Sequence, residues 1–342
     1  MVNGKQISLM TCKGGAHFAE KILPHLNRFL KNENLLQINL TKTEEVQFKN
    51  SEIKSNILES IRGNDVYIIQ DVTNVSFGYS ISDNVLALKT LINSARISDA
   101  SRINVILPTF PFARQDKHFN REGITSKMFS QELELLGVNT IITLDIHNPT
   151  IAGFFDSCIF ENLKGFRDLI LYVKKNIPLE NLVVSSPDIG GLKRAERYAS
   201  ELKINLVSIY KERSYTKLDC IDKMFVIGDV NNKDVLLVDD MIDTGGTIYN
   251  GVKVLKEKGA KDIYLACSLP FFNGPAEERF SELFENNLIH SVIGTNVVYH
   301  SNEFSEKNTW FRSIDVSDYF AKVIFNIHTS KSISSLLKNI KN

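Results

Sequence analysis

Short apolar runs alternate with stretches of helical periodicity along nearly the whole chain. A brief apolar run between turn residues is typical of a strand buried on both faces, and apolar residues at helical spacing are typical of a helix packed on a sheet. The pattern predicts strands at residues 7–10, 66–70, 103–108, 140–144, 182–185, 206–210, 235–238, 263–266 and 292–293. It predicts helices at 16–30, 85–95, 127–136, 165–175, 191–201 and 247–258. This alternation indicates an α/β fold with mostly parallel sheets flanked by helices.

Two parts of the chain depart from this alternation. Residues 39–61 are polar and alternating, which favours a short antiparallel excursion. Past residue 316, apolar side chains return at helical spacing, at Phe320, Val323, Ile324 and Ile327. The 342 residues favour two domains of ordinary size, and the two α/β halves meet near 150–165.

Composition and charge narrow the function classes. The chain carries 40 basic and 40 acidic residues, which argues against a broad nucleic-acid surface or a polybasic membrane surface. The four cysteines are scattered without CxxC spacing, so we expect neither structural zinc nor a disulfide framework, and a reducing compartment. No apolar run approaches the length of a membrane span, and the N-terminus lacks a signal-peptide core. We therefore expect a soluble, cytoplasmic protein.

The segment VLLVDDMIDTGGT, residues 235–247, carries the clearest chemical signal. A buried strand leads into acids and glycines before a helix begins: Asp239, Asp240, Asp243, Thr244, Gly245, Gly246 and Thr247. Backbone N–H groups turned toward one point at a helix start form a phosphate cradle, whereas the acids suit sugar hydroxyls or a metal carried with the substrate. The segment predicts a ribose-phosphate site. The alternative is a structural strand end with glycines that only turn the chain. No GxxxxGK[ST] or GxGxxG string is present, so a P-loop or a dinucleotide fingerprint is not indicated.

Charged side chains also follow two predicted strands of the first half, where ligands bind in open α/β sheets. Arg114, in FARQD, can stack on a base or contact phosphate, and a solvated loop is the alternative. Asp145 and His147, two apart on a segment predicted to be extended, share a face and can hold a metal-bound phosphate, with Asp145 orienting the imidazole. A strand-end histidine with a structural hydrogen bond is the alternative there.

The second half offers two further candidates. Asp188 lies in SPDIGG, a second acid–glycine loop before a helix, and is a candidate for Mg²⁺ through water or, alternatively, a helix cap. Lys211 and Arg213 follow the strand at 206–210, where a mobile cationic loop can close over a transferring phosphoryl group. An exposed hairpin with solvated cations is the alternative. The joint pattern, with all these groups at strand ends, is stronger than any single motif.

At this point the chain resembles the ribose-phosphate diphosphokinases, also called phosphoribosyl pyrophosphate (PRPP) synthases. The resemblance runs nearly end to end and is densest in IRGNDVYIIQ (61–70), FARQD (112–116), ITSK (124–127), TLDIH (143–147), GFFD (153–156), SPDIGG (186–191), IGDV (227–230), VLLVDDMIDTGGT (235–247) and NGPAEERF (273–280). DTGGT alone fits any type I phosphoribosyltransferase, whereas ARQD, LDIH and SPDIGG together are specific to the synthases.

The resemblance implies two phosphoribosyltransferase-like domains. Residues 1–160 would form the ATP side with the oligomer contacts, 161–313 would carry the ribose-phosphate loop and a flexible catalytic loop, and 314–342 would be a helical tail packing on the first domain. The implied reaction transfers the β,γ-diphosphoryl group of Mg²⁺-ATP to the C1 hydroxyl of ribose 5-phosphate, with AMP leaving. The implied partners are these small molecules and further copies of the chain, in a dimer-based homo-oligomer such as a hexamer.

The resemblance also implies a role for each matched residue. Asp243, Thr244, Gly245, Gly246 and Thr247 would hold the 5-phosphate, and Asp239 and Asp240 the ribose hydroxyls. ATP would meet Arg114, Gln115 and Asp116, with adenine held by Phe48, Asn50 and Glu52, usually supplied by a neighbouring subunit. Mg²⁺ would lie at His147, Asp188 and Asp145, and the catalytic residues would be Lys211, Arg213 and His147. Ser60, Arg62, Ser332 and Ser334 match positions that bind regulatory phosphate or ADP.

Departures from the family pattern keep alternatives open. FKNSE replaces an FSDGE-like string, so Asn50 stands where an adenine-contacting Asp is usual, and residues 71–82 contain an insertion. One alternative is diphosphoryl transfer to a larger acceptor such as ADP-ribose, as in phage-borne relatives that rebuild NAD. Another is a non-catalytic regulatory subunit, and a third is a phosphoribosyltransferase that consumes PRPP, which needs neither ARQD nor SPDIGG.

Overall fold

The computed structural model describes residues 5–212 and 223–338. Their helices and strands divide into two units. The first contains the described residues up to Lys164, together with Val297–Tyr299 and those from Asp315 onward. The second consists of the described residues of Gly165–Asn296 and His300–Ile314. The predicted α/β class is confirmed in both units, and the domain limits expected from the sequence stay predictions.

The first unit begins with strands and helices in alternation. In chain order they are β1 (Ile7–Thr11), α1 (Ala16–Asn32), β2 (Thr43–Gln47), β3 (Ile53–Ile57), β4 (Asp65–Ile69), α2 (Ile81–Ile97), β5 (Arg102–Ile106), α3 (Thr125–Leu135), β6 (Thr140–Leu144) and β7 (Ile159–Leu163). Five of the described strands form a parallel sheet in the order β1-β4-β5-β6-β7. β4 is buried at every residue, as a central strand covered on both faces requires.

The second unit repeats this plan around a larger sheet. Its elements are α4 (Phe166–Asn176), β8 (Leu182–Ser185), α5 (Leu192–Leu202), β9 (Asn205–Leu206), β10 (Ser208–Glu212), β11 (Lys223–Ile227), β12 (Asp234–Ile242), α6 (Gly246–Glu257), β13 (Ile263–Pro270), α7 (Ala276–Glu285), β14 (Ser291–Thr295), α8 (Asn302–Lys307) and β15 (Phe311–Ile314). Within the described part of this unit, six strands run parallel in the order β15-β14-β13-β12-β8-β9.

The end of the described chain returns to the first unit as α9 (Ser317–His328) and α10 (Ser335–Lys338). In α9 the ring of Phe320 packs edge-on against that of Phe18 in α1, with 5.0 Å between centroids. The apolar periodicity after residue 316 is the face that makes this contact. No described helix is both long and apolar enough to cross a membrane.

Most predicted elements are confirmed, whereas β7, β11, β15, α7, α8 and α10 were not predicted. The excursion at 39–61 is the antiparallel hairpin of β2 and β3. The edge strands β7 and β15 lack a continuous apolar run, because Glu161 and Asn162 interrupt β7, and Arg312 and Ser313 interrupt β15. The predicted strand at 206–210 is divided between β9 and β10, and β10 pairs with β11 outside the six-stranded sheet.

A buried pair of acceptors lies in the first unit. His17 Nδ1 is 3.1 Å from the Gly14 carbonyl, which only accepts, so Nδ1 carries the proton and Nε2 presents a lone pair. That Nε2 lies 3.9 Å from Asp71 Oδ2, and both atoms are buried without a hydrogen-bond partner. Burial raises the pKa of Asp71 from 3.8 to about 6 and lowers that of His17 to about 4. Ionised Asp71 therefore destabilises the folded chain.

We expect Asp71→Asn to stabilise the protein at neutral pH. The amide can keep the hydrogen bonds that Oδ1 accepts from Thr73 and offer an N–H toward His17. Because the folded pKa of Asp71 is raised, wild-type stability falls as pH rises from about 4 to 6, so the advantage of the variant grows over that window. Urea unfolding should show a gain of about 1–2 kcal/mol at pH 7.5 and little gain at pH 4.5. The exposed Asp156→Asn is the control, and an equal gain at both pH values would contradict the assignment.

Candidate active site

The loop between β12 and α6 has the geometry of an anion cradle. β12 ends at Ile242 and α6 begins at Gly246, with Gly245 in the left-handed region at φ 72°. No side chain caps the first turn of α6, so its leading N–H groups are available to an anion. A Cβ at Gly245 would lie 2.8 Å from Cε2 of Phe280, so the position requires glycine for its conformation and for its space.

Two side chains hold this loop from the segment after β13. Asn273 Nδ2 donates to Asp243 Oδ1 at 2.8 Å, and Arg279 Nη1 donates to the Thr244 carbonyl at 2.7 Å. The Thr244 and Thr247 side chains are exposed, whereas Gly245 is buried. The predicted phosphate loop is thus fixed by Asn273 and Arg279. Both lie in NGPAEERF, and neither was among the predicted site residues.

Asp239 and Asp240 lie inside β12 and not beyond its end. The strand continues four residues past the predicted limit at 238, because β13 runs alongside it as far as Pro270. Arg194 Nη1 is 2.8 Å from Asp239 Oδ1, and Nη2 is 3.3 Å from Asp240 Oδ2. Burial and the Asp240 carboxylate raise the pKa of Asp239 to about 8, although Arg194 acts in the opposite direction.

Sequence reasoning missed Arg194. It lies in the first turn of α5, just after SPDIGG, and β8, which leads into that loop, pairs with β12. The sequence does contain a signal for this residue. Arg194 is a cation in the first turn of the helix that follows β8, and β8 is the strand next to the two acids' own strand. Two adjacent acids in a largely buried strand require such a partner, because each carboxylate disfavours ionisation of the other.

SPDIGG forms a capped turn. Asp188 Oδ1 accepts the Gly191 N–H at 3.0 Å and caps the short 3-10 helix Ile189–Gly191. Ser186 Oγ donates to the Asp188 carbonyl at 2.6 Å, and the Asp188 side chain is exposed. The structure therefore shows the helix-cap alternative, and a contact of Asp188 with Mg²⁺ stays a prediction.

In the first unit, FARQD is joined to the segment after β6. The Gln115 carbonyl accepts from Ser126 Oγ at 2.9 Å, and Asp116 Oδ2 accepts from the Asn148 side chain. Asn148 directly follows His147 in sequence, so Asp116 ties the loop after β5 to the residue next to His147. The side chains of Arg114, Gln115 and His147 are exposed.

The expectation that Asp145 and His147 share a face of an extended segment is wrong. β6 ends at Leu144, and Asp145 is left-handed at φ 41°, so the alternation of side chains stops there. Asp145 Oδ1 is 3.7 Å from Lys164 Nζ, and the Asp145 N–H bonds to the Leu163 carbonyl at 2.9 Å. Pairing with β7, which was not predicted, sets this bend.

The proposed adenine residues lie at the turn of the β2–β3 hairpin. Phe48 N–H donates to the Glu52 carbonyl at 2.8 Å, and Asn50 Oδ1 accepts the Glu52 N–H at 3.2 Å. All three side chains are exposed, Phe48 to 48%, which is high for an aromatic ring. They therefore lie on the surface, at the turn between β2 and β3.

The remaining predicted residues are the catalytic candidates Lys211 and Arg213 and the candidate regulatory residues. Lys211 lies in β10, paired with Met224 of β11, and Arg213 lies outside the described residues. Arg62 Nη1 pairs with Asp99 Oδ2 at 2.5 Å near the exposed Ser60. In the other candidate regulatory segment, the Oγ atoms of Ser332 and Ser334 are 3.0 Å apart.

Residues 5–212 and 223–338 contain no group of three His, Cys, Asp or Glu side chains placed to hold a metal ion. Asp145 and Asp188 belong to different units, and each can offer carboxylate oxygen. Mg²⁺ keeps several waters and is commonly held by one or two carboxylates plus substrate phosphates. Each carboxylate by itself therefore suits a Mg²⁺ that arrives with a nucleotide better than a resident all-protein site.

Comparison with known proteins gives matches over most of the chain. A model of the N-terminal domain of ribose phosphate pyrophosphokinase matches residues 7–137, and one of the phosphoribosyl transferase domain matches 160–302. The ribose-phosphate pyrophosphokinase of Chlorobaculum tepidum is 41% identical over 296 residues, 86% of this chain and 87% of that protein. That of Staphylococcus saprophyticus is 34% identical over 333 residues, 96% of each chain.

A solved structure gives the same result. The phosphoribosylpyrophosphate synthetase from Mycobacterium smegmatis has a TM-score of 0.81 and 28% identity, covering 95% of this chain and all of that one. Together with the two domain matches, this confirms the architecture of two phosphoribosyltransferase-like domains that the resemblance implied.

We expect Arg194→Gln to destabilise the protein in a pH-dependent way. At pH 9 Asp239 is ionised, and the variant leaves two adjacent carboxylates without their cation, at a cost of about 2 kcal/mol in urea unfolding. At pH 6 Asp239 keeps its proton, so the loss should be smaller. Arg197→Gln on the same helix removes a contact with the Phe166 ring, 3.8 Å away, and should show no such pH dependence. A loss for Arg194→Gln that is independent of pH would contradict the pairing.

Proposed function

The chain belongs to the ribose-phosphate pyrophosphokinase family, and from that premise we propose that it transfers the β,γ-diphosphoryl group of Mg²⁺-ATP to the C1 hydroxyl of ribose 5-phosphate, giving phosphoribosyl pyrophosphate and AMP. The observation that carries this proposal is the loop between β12 and α6. The first turn of α6 has no side-chain cap and follows the left-handed Gly245, and Asp239 and Asp240 lie a few residues earlier in β12. A cradle for an anion beside acceptors for hydroxyls suits a phosphorylated sugar.

The ribose 5-phosphate would bind along the end of β12. Its phosphate would receive the N–H groups of residues 245–247, with the Thr244 and Thr247 hydroxyls as further donors. Its hydroxyls would donate to the carboxyl oxygens of Asp239 and Asp240, which Arg194 holds in place. Asp243, held by Asn273, would set the distance between these two parts.

The ATP would be met by the first unit. Arg114 and Gln115 would contact its phosphates and base, and Asp116 would hold their loop through Asn148. Phe48, Asn50 and Glu52 would bind adenine. Their exposure on the hairpin tip supports a homo-oligomer in which this tip completes the nucleotide site of a neighbouring copy. We propose a dimer-based assembly such as a hexamer, with phosphate or ADP regulation at Ser60, Arg62, Ser332 and Ser334.

The chemistry requires positioning and neutralisation of charge, without a covalent nucleophile. Mg²⁺ bound with ATP would supply charge neutralisation at the phosphates, and His147, Asp145 and Asp188 are the residues proposed to contact it. Lys211 and Arg213 would stabilise charge on the diphosphoryl group as it transfers. The buried thiols Cys12, Cys158 and Cys267 are free, which supports a reducing, cytoplasmic location.

We expect an acceptor panel to identify the substrate. Purified protein with Mg²⁺ and ATP should release AMP and form phosphoribosyl pyrophosphate with ribose 5-phosphate, and little product with ADP-ribose. Products would be resolved by anion-exchange chromatography, with ribose as the control that lacks the phosphate. Turnover of ADP-ribose alone would replace this acceptor by a larger one, and no AMP release with any acceptor would support a regulatory subunit.

We expect Lys211→Ala to lower kcat by about a hundredfold or more while leaving nucleotide binding nearly unchanged, because its charge matters most in the transition state. Steady-state kinetics and calorimetric titration with ATP would separate the two effects. Lys233→Ala, which removes an ion pair with the exposed Asp229 in the same unit, is the control. Unaltered turnover would remove Lys211 from the catalytic residues.

A further inference from the structure

The segment 273–280, NGPAEERF, contacts the phosphate loop from behind. Three of its side chains reach residues 243–245: Asn273 binds Asp243, Arg279 binds the Thr244 carbonyl, and the Phe280 ring fills the space behind Gly245. The segment therefore supports the conformation of the loop, and it has no other role in the proposed reaction.

Arg279 controls the direction of one N–H group. The peptide between Thr244 and Gly245 is planar and trans, so its carbonyl and its N–H point in opposite directions. Arg279 Nη1 fixes the carbonyl at 2.7 Å, and this turns the Gly245 N–H toward the side away from α7. A free peptide next to a glycine at positive φ could rotate readily, because glycine accepts both signs of φ.

Arg279 is itself held in place. It lies in the first turn of α7, which begins at Ala276 after Pro275. The next residue, Phe280, is fully buried. The Phe280 ring packs on Trp310 at 5.5 Å and on Phe272 at 5.7 Å between centroids. Trp310 Nε1 in turn donates to Ser281 Oγ at 3.1 Å. The guanidinium thus extends from a rigid aromatic core.

We propose that Arg279 is a positioning residue for the acceptor phosphate. It holds the Thr244–Gly245 peptide in the orientation that aims the Gly245 N–H into the cradle, and its positive charge lies next to the start of α6, with Nη1 3.4 Å from where a Cβ on Gly246 would be. This inference rests on the proposed function, because it takes the anion of the cradle to be the phosphate of ribose 5-phosphate.

The test compares Arg279→Gln with a matched arginine. Arg312 also donates to backbone carbonyls, those of Thr309 and Phe311, in the same unit, so Arg312→Gln loses the same kind of contact away from the loop. We expect Arg279→Gln to raise KM for ribose 5-phosphate about tenfold, with KM for ATP and kcat within about twofold of wild type. Arg279→Lys, which keeps a charged donor, should recover part of this loss, and Arg312→Gln should change none of these constants.

Binding without ATP separates this inference from the proposed function. Calorimetric titration with ribose 5-phosphate alone should show about tenfold weaker binding for Arg279→Gln than for wild type. If the wild type forms no product but this difference persists, the proposed function fails and the role of Arg279 stands. Equal binding of ribose 5-phosphate by the wild type and by Arg279→Gln would overturn the role of Arg279. So would a rise in KM that is the same for ribose 5-phosphate and for ATP, and the same in Arg279→Gln and in Arg312→Gln. No binding of ribose 5-phosphate by the wild type, together with no product from it in the presence of ATP, would overturn both.

Discussion

One guanidinium allows two adjacent carboxylates to remain in a largely buried strand. β12 pairs with β13 as far as Ile242, and this pairing holds the backbone of Asp239 and Asp240 in the sheet. Without a cation, ionising both would be costly. Because Arg194 bonds to both, β12 can carry acceptors for hydroxyls and still run on to Ile242, where the loop into α6 begins.

Local physics made most of the fold predictable. Buried parallel strands are continuous apolar runs, and helices on a sheet repeat their apolar residues at helical spacing, so both can be recognised without a partner. Several strand predictions fail where pairing with a neighbouring strand decides whether a segment is a strand and where it ends. β7 and β15 are edge strands whose apolar runs are interrupted by polar residues, and β12 is longer than its apolar run because β13 continues to pair with it.

The same distinction holds for the candidate site. Gly245 and the acids around it were recognisable because glycine at a helix start and adjacent acids have few structural uses. Arg194, Asn273 and Arg279 were not, since each reaches the site from a different element, and their contacts depend on how β8, β12 and α7 are arranged. The bend at Asp145 was invisible for a similar reason, because pairing with β7 produces it.

The hairpin of β10 and β11 is separate from the six-stranded sheet. In the described chain its residues pair with each other, from Ser208 with Ile227 to Glu212 with Lys223, and none is registered against β12. The hairpin nevertheless shares the core of the second unit, where the buried Ile209 of β10 lies in one apolar cluster with Leu237 of β12 and Val252 of α6. A change of side-chain volume at Ile209 would therefore disturb the hairpin and both elements that flank the loop between β12 and α6.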